Sequence, residues 1–261
     1  MKSVEQLAAA ENSNLHGSLT LIGDTYNLVT RLESLYDHLP WQIGIGKHSP
    51  TLDDVKAFDV MKIFILTCRR HLTVGTLAIL RGYRADSNLQ LRRAIELTAF
   101  AVRIDRHKSL AKLWIDAGTS DAAFTEFRSQ LDNKLFPKND PLTGELYKDF
   151  DICSKAIHSS IYGVAPYFAA RQSRRAFESH PADGLEALDI ATSDLTVVVF
   201  IAMIDVHLEL LQVFQKILTP YLGDQRKPFR LLLTEVEKQF SAEKKHWGPL
   251  ISEAIRKRKQ Y

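Results

Sequence analysis

No proline interrupts the chain between Pro50 and Pro137, or between Pro181 and Pro220. A proline inside a helix removes a backbone donor and clashes with the preceding turn, so these two stretches leave room for long, unbroken helices. Apolar residues within them recur at intervals of three and four, the period of one helical face, while strand-type alternation is almost absent. The pattern predicts an all-α chain, an irregular bundle of seven to nine helices. At 261 residues, 45% of them hydrophobic and 25% charged, the chain has the size and composition of one globular domain or two small ones.

From Leu15 the positions Leu19, Ile22, Tyr26, Val29, Leu32, Leu35 and Leu39 form one apolar stripe, predicting a single amphipathic helix that ends before Pro40. Two glycines and Pro50 make residues 41–50 a loop. Thr51 then caps a helix running to about Arg81, with Asp53 and Asp54 favoured in its first turn by the helix dipole, and Gly82 ends or bends it. Its stripe is Val55, Phe58, Met61, Ile65, Cys68, Leu72 and Ile79. The next helix, from about Asp86 to Arg106, is apolar nearly all round after Ala94, which marks it as central. A short helix spans Ser109 to Ala117 and stops at Gly118, a residue suited to the left-handed conformation. Another starts at Ser120 or Asp121 and runs through Phe136, and a further one runs from about Thr143 to Ser160. Residues 172–185 read as a connection to a long helix from about Leu185 to Leu218, the second central element. Its run LeuThrValValValPheIleAlaMetIle is rich in β-branched residues, yet the flanking sequence keeps a helical period. Residues 1–223 form the expected core domain, and 224–261 an appended helix, with Pro228 in a first-turn position, and a basic tail.

The two cysteines, Cys68 and Cys153, exclude a disulfide framework and a four-thiolate zinc site, and they fit a reducing cytoplasmic compartment. The longest uncharged apolar run, Leu195 to Ile204, falls short of the roughly 20 residues a membrane-spanning helix needs, so no membrane partner is expected. A net charge of +3 is too small to argue for a nucleic-acid partner. The surplus lies in the tail: residues 224–261 carry ten Lys or Arg against five Asp or Glu, concentrated at Arg256, Lys257, Arg258 and Lys259. Such a cluster is either a solvated chain end or a contact for RNA or another acidic partner.

Two polar constellations could carry chemistry. Arg92, Arg93, Glu96 and Arg103 fall near one stripe of an otherwise apolar helix, either as a structural ion pair or as an Arg-lined anion pocket in which Glu96 holds the guanidinium forks. Asp151, Ser154, Lys155 and His158 share one face of a later helix and offer a carboxylate, a hydroxyl, an ammonium and an imidazole, the groups of general acid–base catalysis but also those of any solvated face. Ser154 and His158 do not form a nucleophile elbow, which requires a strand, a sharp turn and glycines. Neither a metal motif nor a phosphate loop is present, and no cofactor is expected. Asp205, His207 and Glu209 put the imidazole on the opposite side of the helix from the carboxylates, and GlyIleGly at 44–46 is followed by LysHisSerPro.

With Arg92ArgAlaIleGlu96, LeuTrpIleAspAla at 113–117 and Ser154LysAlaIleHis158 followed by SerSer, residues 64–162 resemble a prokaryotic all-helical family of unknown function. The resemblance implies an all-helical fold and kinship with the higher eukaryote and prokaryote nucleotide-binding helical fold. Some members of that fold are metal-independent ribonucleases of toxin or phage-defence systems, carrying Arg, four to six residues, then His. Here that spacing occurs at Arg31 to His38 and Arg175 to His180, with Leu32 and Ala176 where those ribonucleases usually have a polar residue. The residues themselves favour a non-catalytic binding or interaction module, oligomeric or with a protein partner. The alternative is a ribonuclease in which His158 or His180 exchanges a proton while Arg93 or Arg175 stabilises the phosphate.

Overall fold

A computed structural model describes residues 4–43, 51–131, 135–137, 140–157 and 190–258. They form nine α-helices: α1 (Val4–Ile22), α2 (Asn27–Gln42), α3 (Leu52–Leu80), α4 (Arg84–Arg106), α5 (Ser109–Ala117), α6 (Asp121–Leu131), α7 (Gly144–Ile157), α8 (Ile190–Leu218) and α9 (Arg226–Arg258). No strand occurs among the described residues, and the β-branched run of α8 is helical.

The boundaries follow local chemistry. Thr51 Oγ1 accepts from the Asp54 amide at 3.2 Å, and the Asp54 carboxylate accepts from the Thr51 amide at 3.1 Å, a reciprocal capping box. The side-chain hydrogen bond from Thr51, followed by its backbone hydrogen bond, holds the Asp54 carboxyl below its usual range. Gly82, at φ 95, ends α3: its amide and that of Tyr83 bond back to Ile79 and Ala78, and α4 begins at once.

Three expectations are corrected. The stripe from Leu15 is two helices, because Gly23 at φ 53 and a short 3₁₀ turn, Gly23–Tyr26, re-aim the chain between α1 and α2. Pro40 does not stop α2; it sits in the last turn, and both Leu39 and Pro40 are buried, so core packing offsets the lost backbone bond. Gly118 keeps an ordinary helical conformation, with φ −76, because its amide and that of Thr119 satisfy the α5 carbonyls of Ile115 and Asp116 without a left-handed residue. In addition, α6 is described from Asp121 to Leu131, and Leu135 and Phe136 lie in a bend, so the helix does not run through Phe136.

The centre is made by α4 and α8 together with α3, which packs against α1, α2, α4, α5 and α8. Gly75 permits the close approach of α3 to α8, since a Cβ there would lie 3.3 Å from Met203 Sδ. Trp114, Phe64, Phe100 and Phe127 form a chain of ring contacts from α5 through α3 and α4 to α6. The C-terminal helix α9 packs on α8 and α2 and contributes Phe229, Leu233, Val236, Phe240 and Trp247 to the same core. Trp247 Nε1–H donates to Thr25 Oγ1 at 3.1 Å, and that hydroxyl donates to Glu243 at 2.6 Å, tying α9 to the turn before α2.

Candidate functional site

The Arg and Glu residues of α4 do not form one pocket. Glu96 accepts from Arg92 Nε at 3.2 Å and from Arg93 at 2.9 Å, and the Arg92 guanidinium lies 4.9 Å from the centre of the Phe150 ring on α7. Arg93 is 60% exposed while Glu96 is 22% exposed, so the group is a half-covered ion triad that docks α7 on α4. Arg103, two turns further on, about 10 Å along the axis, belongs to a different environment described below.

On α7, Lys155 Nζ pairs with Asp151 at 2.6 Å on an exposed face, and the Ser154 hydroxyl donates to the Phe150 carbonyl of its own helix at 2.7 Å. His158, Arg175, His180 and Lys259 lie outside the described residues. Arg256, Lys257 and Arg258 form the end of α9. Arg31 and His38 have separate partners: Arg31 reaches Glu235 on α9 at 3.2 Å, and His38 Nδ1 bonds the Ser34 carbonyl at 3.1 Å.

Arg103 and His107, at the end of α4, line a cleft of about 670 Å³ with Ser109, Leu110, Lys112, Leu113 and Asp116 of α5 and Glu126 of α6. Burial lowers the affinity of the Arg103 guanidinium for its proton. Lys112 is paired with Asp116 at 2.5 Å. The cleft therefore sets two cations against two carboxylates, with a leucine pair as its apolar wall. Among the described residues no three His, Cys, Asp or Glu side chains are grouped so as to hold a metal ion.

Two polar pairs, one buried and one half-buried, were not visible in the sequence. His207 of α8 is fully buried, with Nδ1 2.9 Å from the Tyr36 hydroxyl and Nε2 without a hydrogen-bond partner. Burial first, then the proximity of His71, pushes its pKa down to about 3. Asp149 of α7 and Glu209 of α8 share a hydrogen bond between half-buried carboxyl groups. Burial, followed by the charges of Asp149 and Asp205, raises Glu209 to about 7, and burial likewise raises Asp149. Asp205 itself pairs with Lys244 of α9 at 2.5 Å. These carboxyls are far apart in sequence, so only the packing of α7 on α8 brings them together.

Among the described residues, the outer face of α3 carries a row of exposed apolar side chains. Leu52, Ile63, Leu66, Val74 and Leu77 are 39% to 70% exposed, with exposed Asp59 and Arg70 in the same row. At about 100° per residue these seven positions fall within roughly 80° of arc, a continuous stripe along the helix. Paired polar groups border it. On the α2 side, Arg69 meets Asp37 at 2.8 Å and Thr73 meets Glu33; on the α4 side, His71 Nδ1 lies 2.6 Å from Gln90 Oε1. The helices α3 and α8 are long and apolar enough to cross a membrane. The apolar stretch of α8 is mostly buried in the bundle, whereas that of α3 is less than half buried. No family model, curated protein or solved structure matches the chain.

Proposed function

We propose that this protein is a non-catalytic interaction module that works through the outer face of α3. The supporting observation is the stripe itself: five large apolar side chains in register along one helix, left uncovered while the opposite face of the same helix is fully buried. Scattered exposed leucines are ordinary on a protein surface, whereas a row of five apolar side chains interrupted only by Asp59 and Arg70, and framed by polar pairs, has the make-up of a surface that binds a partner. Full burial of such a side chain contributes about 1.5 to 3 kcal/mol; four of the five are already more than half covered, so each adds only a part of that and the stripe acts by summation along its length. A photoreactive side chain in place of Leu66, irradiated in the cells that make the protein, should yield a covalent adduct. The same group at exposed Arg230 on α9 should not. No adduct from position 66 would overturn the proposal.

One observation favours a second reading, the metal-independent ribonuclease. Arg103 and His107 line the same cleft, where an imidazole could exchange a proton with a ribose hydroxyl and a guanidinium could face the phosphate. The basic end of the chain, Arg256 to Lys259, would add contacts to RNA in that case. Asp116 and Glu126 in the cleft oppose a phosphate, which is why the interaction module is preferred. Incubation with RNA in chelator separates the two readings: cleavage that is lost in His107→Ala supports the nuclease, and an RNA that stays intact removes it.

A further inference from the structure

The row on α3 has an order of charge as well as an apolar surface. Along the stripe from the N-terminus come Leu52, Asp59, Ile63, Leu66, Arg70, Val74 and Leu77, so one acid and one base interrupt an otherwise apolar seam. Two copies of α3 set side by side in parallel would place Asp59 against the partner's Asp59 and Arg70 against the partner's Arg70. Both contacts are repulsive. Set antiparallel about a two-fold axis, with Ile63 against the partner's Leu66, the same row becomes self-complementary. Asp59 then meets the partner's Arg70, Leu52 meets the partner's Leu77, and Val74 packs on the apolar stem of the partner's Lys56. Symmetry repeats each contact, as an isologous interface requires. Polar residues at single seam positions set register and orientation in paired helices, because a shifted register strands them against apolar groups or like charges.

We propose that the occupant of this face is a second copy of the chain, its α3 antiparallel to the first in that register. The inference rests on the proposal that the α3 face is the interaction surface, and goes beyond it by naming the partner and its geometry. The seam from Leu52 to Leu77 is about 38 Å long, enough for a continuous helix–helix contact. Two of the polar groups beside it are engaged within the copy, Arg69 with Asp37 and Thr73 with Glu33. Lys62 holds Asp59 only loosely, at 3.6 Å on the surface, so Asp59 can turn to the partner's Arg70 while the ammonium groups of Lys56 and Lys62 stay at the solvated rim.

Light scattering on the full chain should return twice the 29.6 kDa of a single chain. Leu66→Lys should return a single-chain mass with unchanged circular dichroism, since Leu66 is exposed within one copy, and a melting temperature that no longer rises with protein concentration as the parent's does. Asp59→Arg and Arg70→Asp should each weaken association roughly tenfold or more by creating two like-charge contacts, and the double variant should restore it. In a parallel pair the double variant would stay repulsive. A dimer unaffected by Leu66→Lys, or a dimer dissolved by Leu66→Lys but not rescued by the double charge exchange, overturns the antiparallel register. A single-chain mass for the parent protein overturns self-pairing. The adduct from position 66 then separates the two proposals: a different protein attached there leaves the interaction face standing with another occupant, and no adduct removes both.

Discussion

Acidification should destabilise this protein steeply only below about pH 4.5, and His207 is the group responsible. Its imidazole is buried, bonded through one nitrogen to Tyr36, with the other nitrogen unpaired and His71 nearby, so a proton placed on Nε2 in the folded state finds no protein acceptor. The folded pKa of about 3 lies below the ordinary value of about 6.5. Between those values the unfolded chain binds a proton that the folded chain refuses. The stability contributed is thus fully present above about pH 6.5 and is lost as the pH falls toward 3, at about 1.4 kcal/mol per pH unit and about 5 kcal/mol in all. Glu209 acts in the opposite sense. Its folded pKa of about 7 is raised, so the stability it contributes is present below the ordinary glutamate range and is lost as the pH rises through 7. That effect is reduced by the solvent contact of its half-buried carboxyl. Parent stability should therefore show a shallow slope between about pH 5 and 6.5, where the two effects oppose each other, and a steep fall below pH 4.5. Glu209→Gln should steepen the slope above pH 5 and raise stability at about pH 8; His207→Leu in that background should flatten it. Urea midpoints at half-unit pH intervals measure all three. A Glu209→Gln protein whose midpoint does not change between pH 6.5 and 4.5 would refute the assignment to His207.

Two substitutions probe the ion pairs. Glu96→Ala should cost only about 1 kcal/mol by thermal melting, because Arg93 is mostly in water and Arg92 keeps its contact with the Phe150 ring; a loss of several kcal/mol would show that Arg92 depends on this carboxylate alone. Asp140, almost completely buried, takes both arms of the Arg106 guanidinium and the Leu142 amide at 2.8 Å. Asp140→Ala should therefore destabilise the turn before α7 by about 1 to 3 kcal/mol, read from the same melt.

What the sequence made legible was whatever depends on neighbours along the chain. The Thr51 cap, the stop at Gly82, the bounds of α5 and the inner stripe of α3 from Phe58 to Ile79 all follow from residues within a few positions of one another. The helical state of the β-branched run in α8 was legible because its flanks kept the period. The errors came where tertiary packing overrode a local rule, as at Pro40, or where an unbroken apolar period concealed the turn at Gly23. The candidate surface was hidden for a related reason. Ile63, Leu66, Val74 and Leu77 are plain in the sequence, but the sequence does not say which flanks of this helix its neighbours cover, and only the placement of α2 and α4 leaves this face exposed. Arg103 and His107 were separated from Arg92 and Arg93 for the same kind of reason: α5 and α6 create their cleft, and neither belongs to the α4 stripe that drew attention to Arg103.

A single distance tests the central claim most directly. Asp53 is exposed in the first turn of α3, and the native thiols Cys68 and Cys153 are buried, so a spin label on Asp53→Cys can be placed selectively. In the antiparallel register Asp53 lies opposite the partner's Thr76, which separates the two labels by about 35 Å along the seam. Pulsed electron paramagnetic resonance should show a narrow distribution near that value. A separation of about 10 Å, the spacing of helices packed in parallel, or the absence of dipolar coupling would contradict the account.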